Sequence, residues 1–160
     1  TYHACWLMNN VLGQYALGGR LGDSIRERQG MAYHVSSTFD PAIVEGPLVV
    51  RAGVGAANVD RAIASIDDEV VTLARDGVTA KELGESCQYL VGSLPRSLET
   101  NAGIAQFIQT SEFFGLGLDY DARLPDLLGS VTVEQVRDVA RQHLSPERAT
   151  IVIAGPYEER

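Results

Sequence analysis

The stretch from Met31 to Phe39 constrains this chain most. Tyr33, Val35, Ser37 and Phe39 alternate with Ala32, His34, Ser36 and Thr38, a period of two that an extended strand satisfies and a helix does not. Asp40-Pro41 breaks the pattern, and Pro47 to Gly55, reading PLVVRAGVG, supplies a second β-rich run close behind. Two such runs joined by one connection predict an antiparallel hairpin. A lone hairpin is marginal in water, so the rest of the chain has to cover it.

That remainder is patterned at helical spacing. Cys5, Met8 and Leu12, with Leu7 and Val11 alongside, predict a first helix ending near Leu12-Gly13, where glycine would serve as a left-handed cap. Leu21 and Ile25 predict a second, short helix after Gly18-Gly19, stopped by Gly30. Asn58 is placed to cap a run through Val59, Ile63, Ile66, Val70 and Leu73 that Gly77 closes. Thr79-Ala80-Lys81-Glu82 and Thr132-Val133-Glu134-Gln135 both carry the capping-box pattern, in which a threonine hydroxyl and a side chain further along satisfy otherwise orphaned backbone N–H groups. The first box opens a helix through Leu83, Cys87, Leu90 and Leu94, which Pro95 should end or kink. The second precedes Val136, Val139 and Ala140, and further helical patterns run through Ile104, Phe107 and Ile108 and, after Asp119, through Leu124, Leu127 and Leu128. Ala149 to Ala154 (ATIVIA) is continuously apolar and predicts a closing strand covered on both faces. The fold class is α+β: helices packed on one face of a mainly antiparallel sheet.

Size and charge narrow the function. At 160 residues and 45% hydrophobic, the chain suits one well-buried core, hence a single soluble domain over residues 1–160. A net charge of −8 with no Lys/Arg-rich run repels phosphate, which argues against nucleic acid and anionic membrane surfaces as partners. The apolar runs fall short of the roughly 20 residues of a bilayer span. Position 1 is Thr and a helical pattern begins almost at once, so the expectation is an N-terminally truncated piece of a larger protein.

The usual catalytic patterns are missing. His3, His34 and His143 have no histidine or cysteine partner at metal-ligand spacing, and structural roles are the expectation for all three. Cys5 and Cys87 lie in apolar helical patterns and read as small hydrophobes. No GxSxG is present, and the glycines at 13, 18, 19 and 22 follow a helix and lack a Walker lysine, so they read as turns. Asp67, Asp68 and Glu69 form a solvated helix surface. Arg28 reads as a cation at a helix end and Arg20 as a brace for the loop after Gly19.

What remains is Ile25-Arg26-Glu27-Arg28-Gln29-Gly30-Met31-Ala32-Tyr33-His34-Val35. With Asn10-Val11-Leu12-Gly13 and Gly19-Arg20-Leu21 before it, this stretch resembles the "N-x-L-G … G-R-L … I-R-E-K-x-G-L-A-Y-x-V" pattern of the pitrilysin and mitochondrial-processing-peptidase family. Gly77-Val78-Thr79 with Glu82-Leu83, Ser97-Leu98-Glu99, and Val131-Thr132 with Glu134 and Val136 continue the likeness along nearly the whole chain. Met31 stands where leucine is more usual, a volume-conserving swap, and the short Gly18-Gly19-Arg20 segment lacks the long glycine-rich loop of the mitochondrial α-subunit.

The resemblance implies a LuxS/MPP-like fold built from paired α+β domains with a cavity between them. One domain bears HxxEH and zinc, and its partner has lost the ligands. Here the corresponding stretch reads His3-Ala4-Cys5-Trp6-Leu7-Met8-Asn9-Asn10, with no second histidine and no acid. By resemblance this is the C-terminal-type partner domain, with no cofactor of its own and zinc expected in an HxxEH domain or subunit. Many such partners keep an arginine and a tyrosine seven residues apart facing that zinc, and Arg26 and Tyr33 match in type and spacing. The implied role is to hold an extended polypeptide's carbonyl oxygen as negative charge builds on it. The bland alternatives are that Arg26 pairs with Glu27 and that Tyr33 is an ordinary strand aromatic. A non-proteolytic scaffold subunit of the same fold is the competing class, and His34, expected on the opposite strand face from Tyr33, is not read as part of a joint site.

Overall fold

The structure is a computed structural model that describes residues 2–14, 19–42 and 46–157. Helix α1 spans Tyr2–Asn9, and its helical path continues through a wider, π-type turn at Asn10–Gln14. A second π-type segment, Gly22–Arg28, leads into strand β1 (Ala32–Phe39), which pairs antiparallel with β2 (Leu48–Val54). Then follow α2 (Val59–Asp76), α3 (Ala80–Ser97), α4 (Asn101–Phe113), α5 (Tyr120–Gly129) and α6 (Val133–His143). The α+β class read from the sequence holds, with one two-stranded sheet among the described residues.

Both capping boxes form. The Glu82 N–H donates to Thr79 Oγ1 at 3.1 Å while the Thr79 N–H donates to Glu82 Oε2 at 2.8 Å. The Gln135 N–H and the Thr132 N–H make the same exchange at 3.3 and 3.0 Å. The helices then bury the faces their periodicities define: Leu83, Ser86 and Leu90 of α3, Tyr120, Leu124 and Leu128 of α5, and Val136, Val139 and Ala140 of α6. Against them lies the most deeply buried element, α1 with its wide turn, through Leu7, Met8 and Leu12. His3 ties α1 to α5 through a 3.0 Å hydrogen bond with the Tyr120 hydroxyl, and burial pushes the imidazole below its ordinary pKa. The same burial, with Tyr120 nearby, pushes the Tyr2 phenol up to about 12.

Four sequence expectations are corrected. Gly13 is not a left-handed cap, because its φ is not positive; it is needed for space, since a Cβ there would lie 3.0 Å from the Ser37 backbone nitrogen. Asn58 occupies the α2 N-cap position without a side-chain cap bond. Ala149 to Ala154 is not a strand. Among the described residues no strand lies beside this segment to take its backbone hydrogen bonds, and Ile151, Val152 and Ile153 are 56, 85 and 41% exposed. It instead lines a groove of about 1000 Å³ together with β2 and with Ile63 and Ile66 of α2. The fourth correction concerns β1 itself and bears on the site. Gly18, to which a turn was assigned, lies outside the described residues.

Candidate functional site

Arg26 stands in the last turn of the second π-type segment. Its backbone carbonyl accepts the Gly30 N–H at 3.0 Å, and the Ile25 carbonyl accepts the Met31 N–H at 3.0 Å, so the segment ends in a double closure. Gly30 follows at φ +60°, a left-handed conformation that lets the chain turn from helix to strand within a few residues. Leu21 and Ile25, both fully buried, pin the inner side of the segment. The Arg26 side chain is left 39% exposed, with Nε 3.4 Å from Glu27 Oε1. The Glu27 pairing expected as the bland alternative is therefore present. An exposed pair of this kind contributes about 0–1 kcal/mol, too little to fix the guanidinium against a better acceptor.

Tyr33 lies beyond the turn, and here β1 departs from simple alternation. In the ladder Ala32 faces Val54 and His34 faces Gly53, so Tyr33 is an extra residue with no opposite number. This β-bulge reverses the parity of the strand. Ala32, Val35 and Ser37 are buried, while Tyr33 and His34 both point outward, Tyr33 at 91% exposure. The expected sharing of a face by Tyr33 and Val35 is thus corrected, and so is the separation of His34 from Tyr33. Their rings meet edge-on with centroids 6.4 Å apart.

Arg26 and Tyr33 therefore flank the Gly30 turn in the sequence, one before it and one after, and neither is sealed in the core. Among the described residues they make no hydrogen bond to each other. The nearby arginines have other duties. Arg28 sits 2.9 Å from Asp23 and 3.5 Å from Glu69. Arg20 reaches Glu82 at 2.7 Å and the Gly77 carbonyl at 2.9 Å, bracing the α2–α3 junction. A cleft of about 420 Å³ is lined by Arg20, Arg28, Glu69 and Asp76 among others, and neither it nor the larger groove includes Arg26 or Tyr33.

No cluster of three His, Cys, Asp or Glu capable of holding a metal ion exists among the described residues. His3, at the position where the resemblance would put a ligand, is committed to Tyr120. Nor is any described helix long and apolar enough to cross a membrane. Sequence reasoning missed the bonds that explain the Asn-x-Leu-Gly pattern. Asn10 is buried and accepts the Ser86 hydroxyl at 2.7 Å, while the Ser37 hydroxyl donates to the Asn9 carbonyl at 3.2 Å. Asn10 thus anchors the wide turn to α3, and the Asn9 carbonyl before it anchors the end of α1 to β1.

The comparisons bear on the family and the fold. The profile of the peptidase M16 inactive domain matches residues 1–90. An uncharacterized zinc protease of Bacillus subtilis is 33% identical over 149 residues, covering 92% of this chain and 36% of the relative. A Helicobacter pylori protein named a non-peptidase homolog is 24% identical over 153 residues, covering 93% of this chain and 34% of the relative. A crystal structure of a peptidase M16 inactive domain from Pseudomonas fluorescens superposes with a TM-score of 0.80 at 30% identity, over 92% of this chain and 35% of that one. The chain thus spans about a third of the length of the relatives it matches. With the profile covering more than half of its residues and the fold in agreement, this chain belongs to the peptidase M16 inactive-domain family.

Proposed function

We propose that this domain forms the wall of a peptidase cavity opposite a zinc-bearing HxxEH domain, where Arg26 and Tyr33 hold the carbonyl of an extended polypeptide. The observation that carries the reading is their placement. Both polar heads leave well-anchored backbone on either side of one tight turn, and a bulge turns Tyr33 out of the core. Hydrolysis of a peptide builds negative charge on the carbonyl oxygen. A guanidinium supplies a permanent positive charge in a planar fork, and a phenol donates a hydrogen bond without losing its proton. A donor aimed in advance at that oxygen is worth about 3–4 kcal/mol of barrier. On this reading the activation of water falls to the zinc-bearing partner domain.

The test is reconstitution with the cognate zinc-bearing domain. Arg26→Ala and Tyr33→Phe are each expected to lower kcat about 100- to 1000-fold with KM little changed, the pattern of a contact made in the transition state. A loss confined to KM would count against the role. A scaffold reading of the same surface is favoured by the relative named a non-peptidase homolog. It predicts that no partner yields cleavage and that neither substitution alters assembly.

A further inference from the structure

Tyr33 points outward at the bulge in β1. Without the extra residue in β1, Tyr33 would share the face of Val35 and Ser37, both buried. Across from the bulge stands Gly53. A Cβ built on Gly53 would lie 2.5 Å from His34 Cε1 and 2.8 Å from His34 Nδ1, closer than any side chain can come while the imidazole stays in place. Gly53 is not among the positive-φ glycines, so its backbone does not demand glycine. The space a side chain would take is filled by the His34 ring, and a glycine inside a strand otherwise only weakens it. The ring that fills this space then stands edge-on to Tyr33, with planes at 85° and centroids 6.4 Å apart, a geometry that aromatic quadrupoles favour.

We propose that Gly53 and His34 are positioning residues for Tyr33. Gly53 leaves a slot over β2, the His34 imidazole lies in that slot, and its flank sets the direction of the phenol on the bulge. The inference rests on the proposed role of Tyr33 for its functional meaning, but the placement itself is measurable without turnover.

The experiment uses the intact polypeptide with 3-fluorotyrosine introduced at position 33, so that one ¹⁹F resonance reports that ring. His34→Ala and Gly53→Ala are each expected to move this resonance toward that of an unconstrained tyrosine. His34→Phe, which restores a ring, should bring it back. In the His34→Ala background, Gly53→Ala should add no further shift, because its effect passes through the imidazole. His34 is exposed, so His34→Ala keeps the test open even where Gly53→Ala strains the strand. The proposal is overturned if His34→Ala leaves the resonance in place, or if Gly53→Ala shifts it equally without the imidazole. Should the resonance behave as expected while Tyr33→Phe leaves turnover intact, the positioning holds and the catalytic reading is the part that fails.

Discussion

Arg20 Nε donates to Glu82 Oε1 at 2.7 Å, and one of its terminal nitrogens reaches Glu82 Oε2 at 3.0 Å, a forked ion pair across 62 residues of sequence. Burial alone would raise the Glu82 carboxyl, but the bonds from Arg20 and from the Thr79 N–H and hydroxyl outweigh it and hold the pKa at about 2, against an ordinary value of 4.5. A depressed carboxylate contributes stability that is complete above its unfolded pKa and fades as pH falls toward its folded one. The pair therefore strengthens the fold above pH 4.5 and loses that contribution progressively down to about pH 2. Partial exposure limits the contribution to about 1–2 kcal/mol. Arg20→Met is expected to lower the thermal midpoint at pH 7 and to converge with wild type as the pH is taken below 4. A deficit of equal size at both pH values would mean that the methionine packs poorly and the ion pair is incidental.

The bond from the Ser86 hydroxyl to Asn10 Oδ1 joins α3 to the wide turn after α1 in a fully buried setting, where Asn10 Nδ2 has no partner among the described residues. Ser86→Ala strands the carbonyl oxygen as well and is expected to cost about 1–3 kcal/mol in denaturant titrations. Replacing both residues by alanine should cost less than the two single changes added together, since no stranded amide then remains. Strict additivity would show that the two side chains do not act as a pair.

How much of this could be read beforehand follows from the range of each interaction. Helix starts were legible at Thr79 and Thr132 because a capping box closes within four residues. The apolar faces of α3, α5 and α6 were legible because their periodicity is local. Arg26 and Tyr33 fall at a helical end and on the following strand, as their spacing implied. The bulge at Tyr33 was not legible, because it is a mismatch of counts between two strands and leaves the composition of each unchanged. Asn10 and Ser86 meet across 76 residues, which no local pattern records. Ala149 to Ala154 has the composition of a strand, but a strand is defined by the neighbour that takes its hydrogen bonds, and none lies beside it among the described residues.

Neither cysteine has the surroundings of a nucleophile. Burial pushes both thiols above their ordinary pKa, leaving little thiolate near neutral pH. Cys5 is buried in the core, whereas Cys87 is half-buried with its sulfur 3.6 Å from the Leu128 carbonyl. Under iodoacetamide at pH 7.5 (about one unit below a free thiol's pKa), peptide-level mass spectrometry should show Cys87 modified before Cys5. Both should react more slowly than in the denatured chain. Rapid alkylation of Cys5 in the native protein would contradict its burial in the core.

Two glycines in helical surroundings should respond to the same substitution with opposite signs. At Gly13 a Cβ would sit 2.9 Å from Leu21 Cδ1 and 3.0 Å from the Ser37 nitrogen. Neither neighbour can yield: Leu21 is fully buried, and Ser37 is held by β1 and by its bond to the Asn9 carbonyl. Gly13→Ala is therefore an overpacking change expected to destabilise by about 1–3 kcal/mol. At Gly84, in the exposed middle of α3, nothing lies within 4 Å of an added Cβ. Gly84→Ala removes backbone freedom from the unfolded chain and favours the helix, for a gain of about 0.5–1 kcal/mol. Urea midpoints measured side by side should move apart, Gly13→Ala downward and Gly84→Ala upward. If Gly13→Ala instead left the midpoint unchanged, the wide turn would not be packed against β1 closely enough to carry Leu21, and with it the backbone that holds Arg26.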